Sequence, residues 1–302
     1  VTSSVPHKGP TRVWWHTLAK LSALVLAGAA LLLPWWRHSE NAIPVMDESA
    51  LPGPTPLLTQ ERKACLFDVH VMGALHLESE LSTRLQFVQE NFDPQILPFC
   101  AVLFPQRYQE NCVETNGHVY CEDIGVEEPH AIAMVITGDN LAQTRNGIIY
   151  APRRATGLLL QHELGHALGL ADEYAMRPEL AKAFCGGNYR FEALNIVFTS
   201  SRELSEENYQ DLRARLPWKD YLTTEIAQET ENGQWLLGSV ADHRDAVGLY
   251  PAETCTYGPG YAWKPVAEKT FMEQHEIGSV PTLYLKLIRD RLHNEQNKSA
   301  SN

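Results

Sequence analysis

The stretch His162-Glu163-Leu164-Gly165-His166-Ala167-Leu168-Gly169-Leu170-Ala171-Asp172 constrains this chain more than any other. Two histidines four residues apart lie one above the other on a helix face, so both imidazoles can reach one zinc ion at about 2.0–2.1 Å. Glu163, beside the first histidine, is placed to take the proton of an attacking water without itself binding metal. Gly169 predicts the end of the helix, because glycine enters a left-handed turn without the steric penalty of a side chain. Asp172 follows that turn as the third ligand, with Glu173 as the alternative. Three protein ligands leave a fourth position open, as a single catalytic Zn²⁺ requires. Leu160, Leu164 and Leu168 form one stripe on the same helix and predict that its other side packs into a core.

With 302 residues, 44% of them hydrophobic and 21% charged, the chain can bury one sizeable core. A formal net charge of −12 and the absence of a basic stripe argue against a nucleic-acid partner. The six cysteines, at 65, 100, 112, 121, 185 and 255, include no CxxC pair and point to disulfides rather than to a zinc ribbon. In Cys112 to Cys121 the central Asn116-Gly117 is a strong signal for a two-residue hairpin turn, and counting outward pairs Thr115 with His118 and Cys112 with Cys121. That register brings the two cysteines within reach of a disulfide. The other four cysteines allow three pairings or free thiols, and the sequence does not choose.

The N-terminal part divides into residues 1–13, read as a cytoplasmic segment, and residues 14–36, read as a transmembrane anchor or a signal. Lys8, Arg12 and Lys20 precede an apolar run from Leu21 to Leu33, and Trp14-Trp15 and Trp35-Trp36 bracket it about twenty residues apart, roughly the 30 Å thickness of a bilayer core. The uncleaved anchor is favoured because Pro34, two tryptophans and Arg37 follow where a small-residue cleavage site would be needed. The charge bias then places the rest of the chain in the periplasm or outside the cell; secretion after signal cleavage is the alternative. Residues 37–60, with four prolines, predict an extended linker.

A catalytic domain is expected over 61–293 and a disordered tail over 294–302. Strands are predicted at 65–72, 97–104, 131–136 and 147–151, with a helix over 80–91, giving an α/β (α+β) domain whose mixed, twisted sheet feeds the zinc helix. Residues 175–240 read as a largely helical lower lobe, in which 204–215 is the clearest helix.

The HExxHxxGxxD pattern followed by a downstream methionine resembles the metzincin clan of zinc peptidases, and an aspartate in third place is similar to its snapalysin variant. The longer signature ending Leu170-Ala171-Asp172-Glu173-Tyr174, with Gly248-Leu249-Tyr250, Lys264-Pro265 and Met272, resembles the bacterial IgA-peptidase type of metallopeptidase. The resemblance implies a metzincin-like fold in which Met272 forms a turn beneath the metal. The spacing from His166 to Asp172-Glu173 is one residue shorter than in that type, and Glu273 stands where a basic residue is expected.

These features together predict a zinc-dependent endopeptidase: His162, His166 and Asp172 as metal ligands, Glu163 as general base, a protein or peptide as substrate, and the membrane as partner through residues 14–36. A cell-envelope zinc amidase or peptidoglycan hydrolase and a non-catalytic zinc-containing scaffold are the rival expectations.

Overall fold

The centre of the principal sheet is built from largely apolar segments buried on both sides. The structure, a computed structural model, describes residues 53–58, 64–105, 112–122, 124, 131–138, 140–188, 191–240, 246–277 and 279–300. The anchor expected at 14–36 lies outside the described residues, and among the described residues no helix is long and apolar enough to cross a membrane.

The elements of the first half are β1 (Thr55–Pro56), β2 (Phe67–Met72), α1 (Glu78–Asn91), β3 (Phe99–Phe104), β4 (Cys112–Thr115), β5 (His118–Cys121), β6 (Ala131–Thr137), β7 (Gln143–Arg145), β8 (Ile148–Pro152) and α2 (Gly157–Ala167). The six-stranded sheet runs in the order β1-β3-β2-β6-β8-β7. Its four central strands are parallel, and β1 and β7 close the two edges antiparallel. Parallel strands need a crossover, and α1 supplies it between β2 and β3. Val69, Val71, Leu103, Met134, Ile149 and Leu164 are fully buried in the shared core. Each such side chain contributes about 1.5–3 kcal/mol of transfer free energy.

The mixed sheet and its helices agree with the expected α+β class; three other expectations are corrected. The segment read as linker to residue 60 joins the sheet at Thr55–Pro56 and buries Leu57 and Leu58. Pro56 is tolerated there because β1 is an edge strand, where a missing N–H breaks no ladder. The compact unit accordingly takes in Thr55–Pro56, Leu57 and Leu58, ahead of the expected start at residue 61. The lower lobe is not largely helical. It holds the short helices α3 (Pro178–Cys185) and α4 (Glu206–Arg215) and the strands β9 (Val197–Thr199), β10 (Glu203–Leu204), β11 (Ala227–Glu229) and β12 (Trp235–Leu237); with β13 (Tyr250–Ala252) and β14 (Tyr261–Lys264), which follow it, these strands form two three-stranded sheets. Strands of two to four residues are too short to show a period of two. Finally, α5 (Thr282–Ala300) continues through the segment expected to be a disordered tail. Its polar last turns are held by an Arg291–Glu295 ion pair of 3.1 Å and by Gln296, whose amide donates to the Leu66 carbonyl.

All three disulfides form: Cys65–Cys100, Cys112–Cys121 and Cys185–Cys255. The hairpin register is the one counted from Asn116-Gly117, with Thr115 opposite His118 and Cys112 opposite Cys121. Three bridges fit a domain that folds in an oxidising compartment.

Candidate functional site

Helix α2 starts where β8 ends. Thr156 caps it by accepting a hydrogen bond from the Leu159 N–H at 3.2 Å, and Leu160, Leu164 and Leu168 face the core as their spacing predicts. The Gly169 N–H donates to the His166 carbonyl and the Leu170 N–H to the Gly165 carbonyl, which ends the helix in a Schellman turn with Gly169 at φ +95°. A side chain at 169 would also meet the Arg291 guanidinium, 2.0 Å from an added Cβ.

Each imidazole is fixed through its inner nitrogen. Nδ1 of His162 lies 2.9 Å from the Phe271 carbonyl oxygen and Nδ1 of His166 lies 3.0 Å from that of Leu170. A carbonyl only accepts, so Nδ1 carries hydrogen in both rings and the Nε2 atoms turn toward the cleft. Those two atoms are 3.1 Å apart. Asp172 Oδ1 lies 3.3 Å from the Nε2 of His162 and 3.1 Å from that of His166, and it is buried without a well-formed hydrogen bond. Three acceptor atoms at this spacing call for positive charge among them, a proton or a cation. The edges also match a metal: a tetrahedron with bonds of about 2.05 Å has edges of about 3.3 Å. His162, His166 and Asp172 are the group among the described residues able to hold an ion.

Glu163 and Glu173, the two other carboxylates expected near the site, are placed differently. Glu163 Oε2 accepts from the Thr144 hydroxyl at 2.8 Å, and that hydroxyl also lies 2.9 Å from the Glu163 carbonyl oxygen. Burial raises the Glu163 carboxyl above its usual range, against the pull of His166, Thr144 and His162. Glu173 points away from the cleft and is fully buried. One of its oxygens accepts from Tyr284 and Asn195 at 2.5 and 2.9 Å, and the other from Thr270 and Lys264 at 2.8 and 3.1 Å. Lys264 also contacts Glu273 at 2.6 Å. Glu273 is thus the second acid on a buried ammonium.

The Met segment lies under α2. Met272 is fully buried, and a Cβ on Gly165 would come within 2.8 Å of its sulfur and 2.9 Å of the Phe271 ring. The segment also holds the third acid indirectly, because the Met272 carbonyl accepts from the Glu173 N–H at 3.0 Å. Thr254 donates to the Asp172 carbonyl at 2.8 Å, and Asn195 bonds both the N–H and the carbonyl of Ala171.

Burial works against a charged His166, yet the Asp172 carboxylate outweighs it and pushes the group up to about 9. Burial alone would raise Asp172, but His162 and His166 hold it well below the usual carboxylate range. The Tyr174 phenol is raised by burial and by Asp172, and its ring lies near-parallel to His162 at 6.4 Å between centroids.

A cleft of about 1160 Å³ opens over these groups, walled by the β4–β5 hairpin and β7 on one side and by residues 171–177 and α3 on the other. Ile148–Tyr150 is internal, paired with both β6 and β7. The edge is β7, whose polar Gln143-Thr144-Arg145 shows no strand pattern. The signal available for it was Asn146-Gly147, a second two-residue turn like that at Asn116-Gly117, with both asparagines at positive φ. Asn195, Thr144 and Phe271, which orient the site, carried no sequence signal of their own. His70 is buried in β2.

No family model matches the chain, and no curated protein matches it in sequence.

Proposed function

We propose that the protein is a zinc-dependent endopeptidase of metzincin-like type. The observation that carries this reading is the convergence of His162 Nε2, His166 Nε2 and Asp172 Oδ1 at 3.1–3.3 Å from one another, with a buried Glu163 beside them and outside the trio. His162, His166 and Asp172 would hold the ion, which when bound supplies Lewis acidity toward a substrate carbonyl and lowers the pKa of water. Glu163 accepts the proton of the attacking water and later delivers it to the leaving amine. Burial favours its protonated form and so suits it to the exchange. Thr144 keeps that carboxylate turned to the cleft. A purely structural metal site has no use for such a free acid.

The shape of the cleft favours a polypeptide over a small amide. Arg145 and Ile148 flank a two-residue turn, so the Thr144 N–H and carbonyl face outward from the sheet, where an extended peptide can pair with them. The anchor reading of residues 14–36 and the three disulfides support a site on the external face of a membrane.

The test is to express the full chain, measure bound zinc, and compare casein cleavage with Glu163→Ala. Zinc retained and hydrolysis lost by about two to four orders of magnitude is the expected result. Wild-type protein that binds zinc and cleaves no peptide would overturn the reading.

A further inference from the structure

We propose that the cleft selects peptides carrying a carboxylate close to the scissile bond, and that Arg145 reads it. The inference rests on the peptidase reading of the same cleft and narrows its substrate.

Arg145 follows Thr144 on β7. Strand alternation sends the Thr144 side chain to Glu163 and the Arg145 side chain to the opposite face, where the β4–β5 hairpin stands. There its guanidinium carbon lies 4.5 Å from the centre of the Tyr120 ring, and Tyr120 rests edge-on against Tyr150 at 6.4 Å. Stacking occupies the face of a guanidinium and leaves its in-plane N–H fork free for a planar carboxylate. The hairpin that carries Tyr120 is closed by Cys112–Cys121. It is tied to β7 and its approach by a 2.9 Å bond from Leu141 N–H to the Gly117 carbonyl and another from the Gln143 amide to the Val119 carbonyl. The ring against which Arg145 rests is therefore held in place before any substrate arrives.

No described acid meets it. Among the described residues Arg145 has the Tyr120 contact and no hydrogen bond or ion pair. The chain has a net charge of −12, yet the only acids lining the cleft among those residues are Glu163 and Asp172, both at its centre. Away from the centre the charged groups of the two walls are Arg145 and Arg177. On the same hairpin, the buried Nδ1 of His118 has no hydrogen-bond partner among the described residues. A peptide paired with Thr144 alternates its side chains, so those beside the residue opposite Thr144 share the face of Arg145, within about two positions of the scissile bond. An aspartate or glutamate there, or a terminal carboxylate, would fill the fork.

The test uses matched quenched peptides built on a scissile bond mapped from casein fragments. They carry Glu, Gln or Lys at each flanking position, with free or amidated C-termini, and are given to the full-chain wild type, Arg145→Ala and Arg145→Glu. Wild type should favour Glu over Gln by about tenfold in kcat/KM. Arg145→Ala should level the series, and Arg145→Glu should turn the preference to Lys. Loss of the preference on amidation alone assigns the carboxylate to the peptide terminus; insensitivity to amidation assigns it to the side chain. Equal turnover of all peptides by wild type, or a Glu preference that survives in Arg145→Glu, overturns the inference. Fluorescence anisotropy of the same peptides on Glu163→Ala protein reads recognition apart from turnover. Selective binding of Glu peptides by a chain whose wild type hydrolyses nothing supports acid recognition and sinks the peptidase reading; hydrolysis without selectivity does the reverse.

Discussion

Asp172 and Glu173 are neighbours in sequence, yet they face two regions that differ in how completely their polar groups are matched. Behind the segment, Glu173 has four donors on its two oxygens and an ammonium among them. In front of it, Asp172 presents an oxygen with no well-formed hydrogen bond to two imidazole nitrogens. A carboxylate with every lone pair occupied is an anchor, because nothing is left for a ligand to do. One that is buried, rigidly held and incompletely bonded is poised for a partner. The anchor also explains how the poised group stays in place: the two carboxylates share one backbone segment, fixed on one side by Met272 and on the other by Glu253 and Thr254.

The contrast predicts separate failures. Glu173→Ala leaves Lys264 with one fewer acid in a buried site and should cost about 3–5 kcal/mol in urea unfolding, with zinc or without it. If zinc rescues that loss, the anchor role is wrong. Asp172→Asn should act on the other side. Wild type should gain about 2.7 kcal/mol at a hundredfold excess of zinc over its Kd, and the variant should gain none.

In metal-free protein the stability difference between wild type and Asp172→Asn should depend on pH. His166 is raised from 6.5 to about 9 and Asp172 is lowered from 3.8. The pair's contribution is therefore full between pH 3.8 and 6.5, declines as pH rises through about 9, and fades in stronger acid. A flat profile in thermal melts would break the contrast from this side. The smallest expected effect is that of Gly165→Ala, which forces a methyl against Met272 and Phe271 and should cost about 1–3 kcal/mol. Its unfolding midpoint should fall while the full chain keeps its zinc.

What the sequence made legible was local. The histidine pair, the glutamate beside it, the glycine turn and the Cys112–Cys121 register all depend on residues within a few positions of each other, where helix and hairpin periods act directly. The environment of Glu173 does not. Asn195, Lys264, Thr270 and Tyr284 lie 22 to 111 residues away from it, and a polar cluster gathered from so many elements has no period to detect. The pairs Cys65–Cys100 and Cys185–Cys255 were hidden for the same reason, at separations of 35 and 70 residues. Strand β7 was missed on a different ground. Asn146-Gly147 marked its turn, but three polar residues on an edge need no apolar alternation.

The hydrogen bonds that orient His162 and hold residues 172–173 come from Phe271, Met272, Glu253 and Thr254, all far downstream. A ribosome therefore releases the His-Glu-His helix long before it releases the groups that align it. A growing chain carries the two histidines but not the bonds that align them, so the trio reaches its spacing only once the last third of the polypeptide has docked, and a product truncated before Glu253 would lack it by construction.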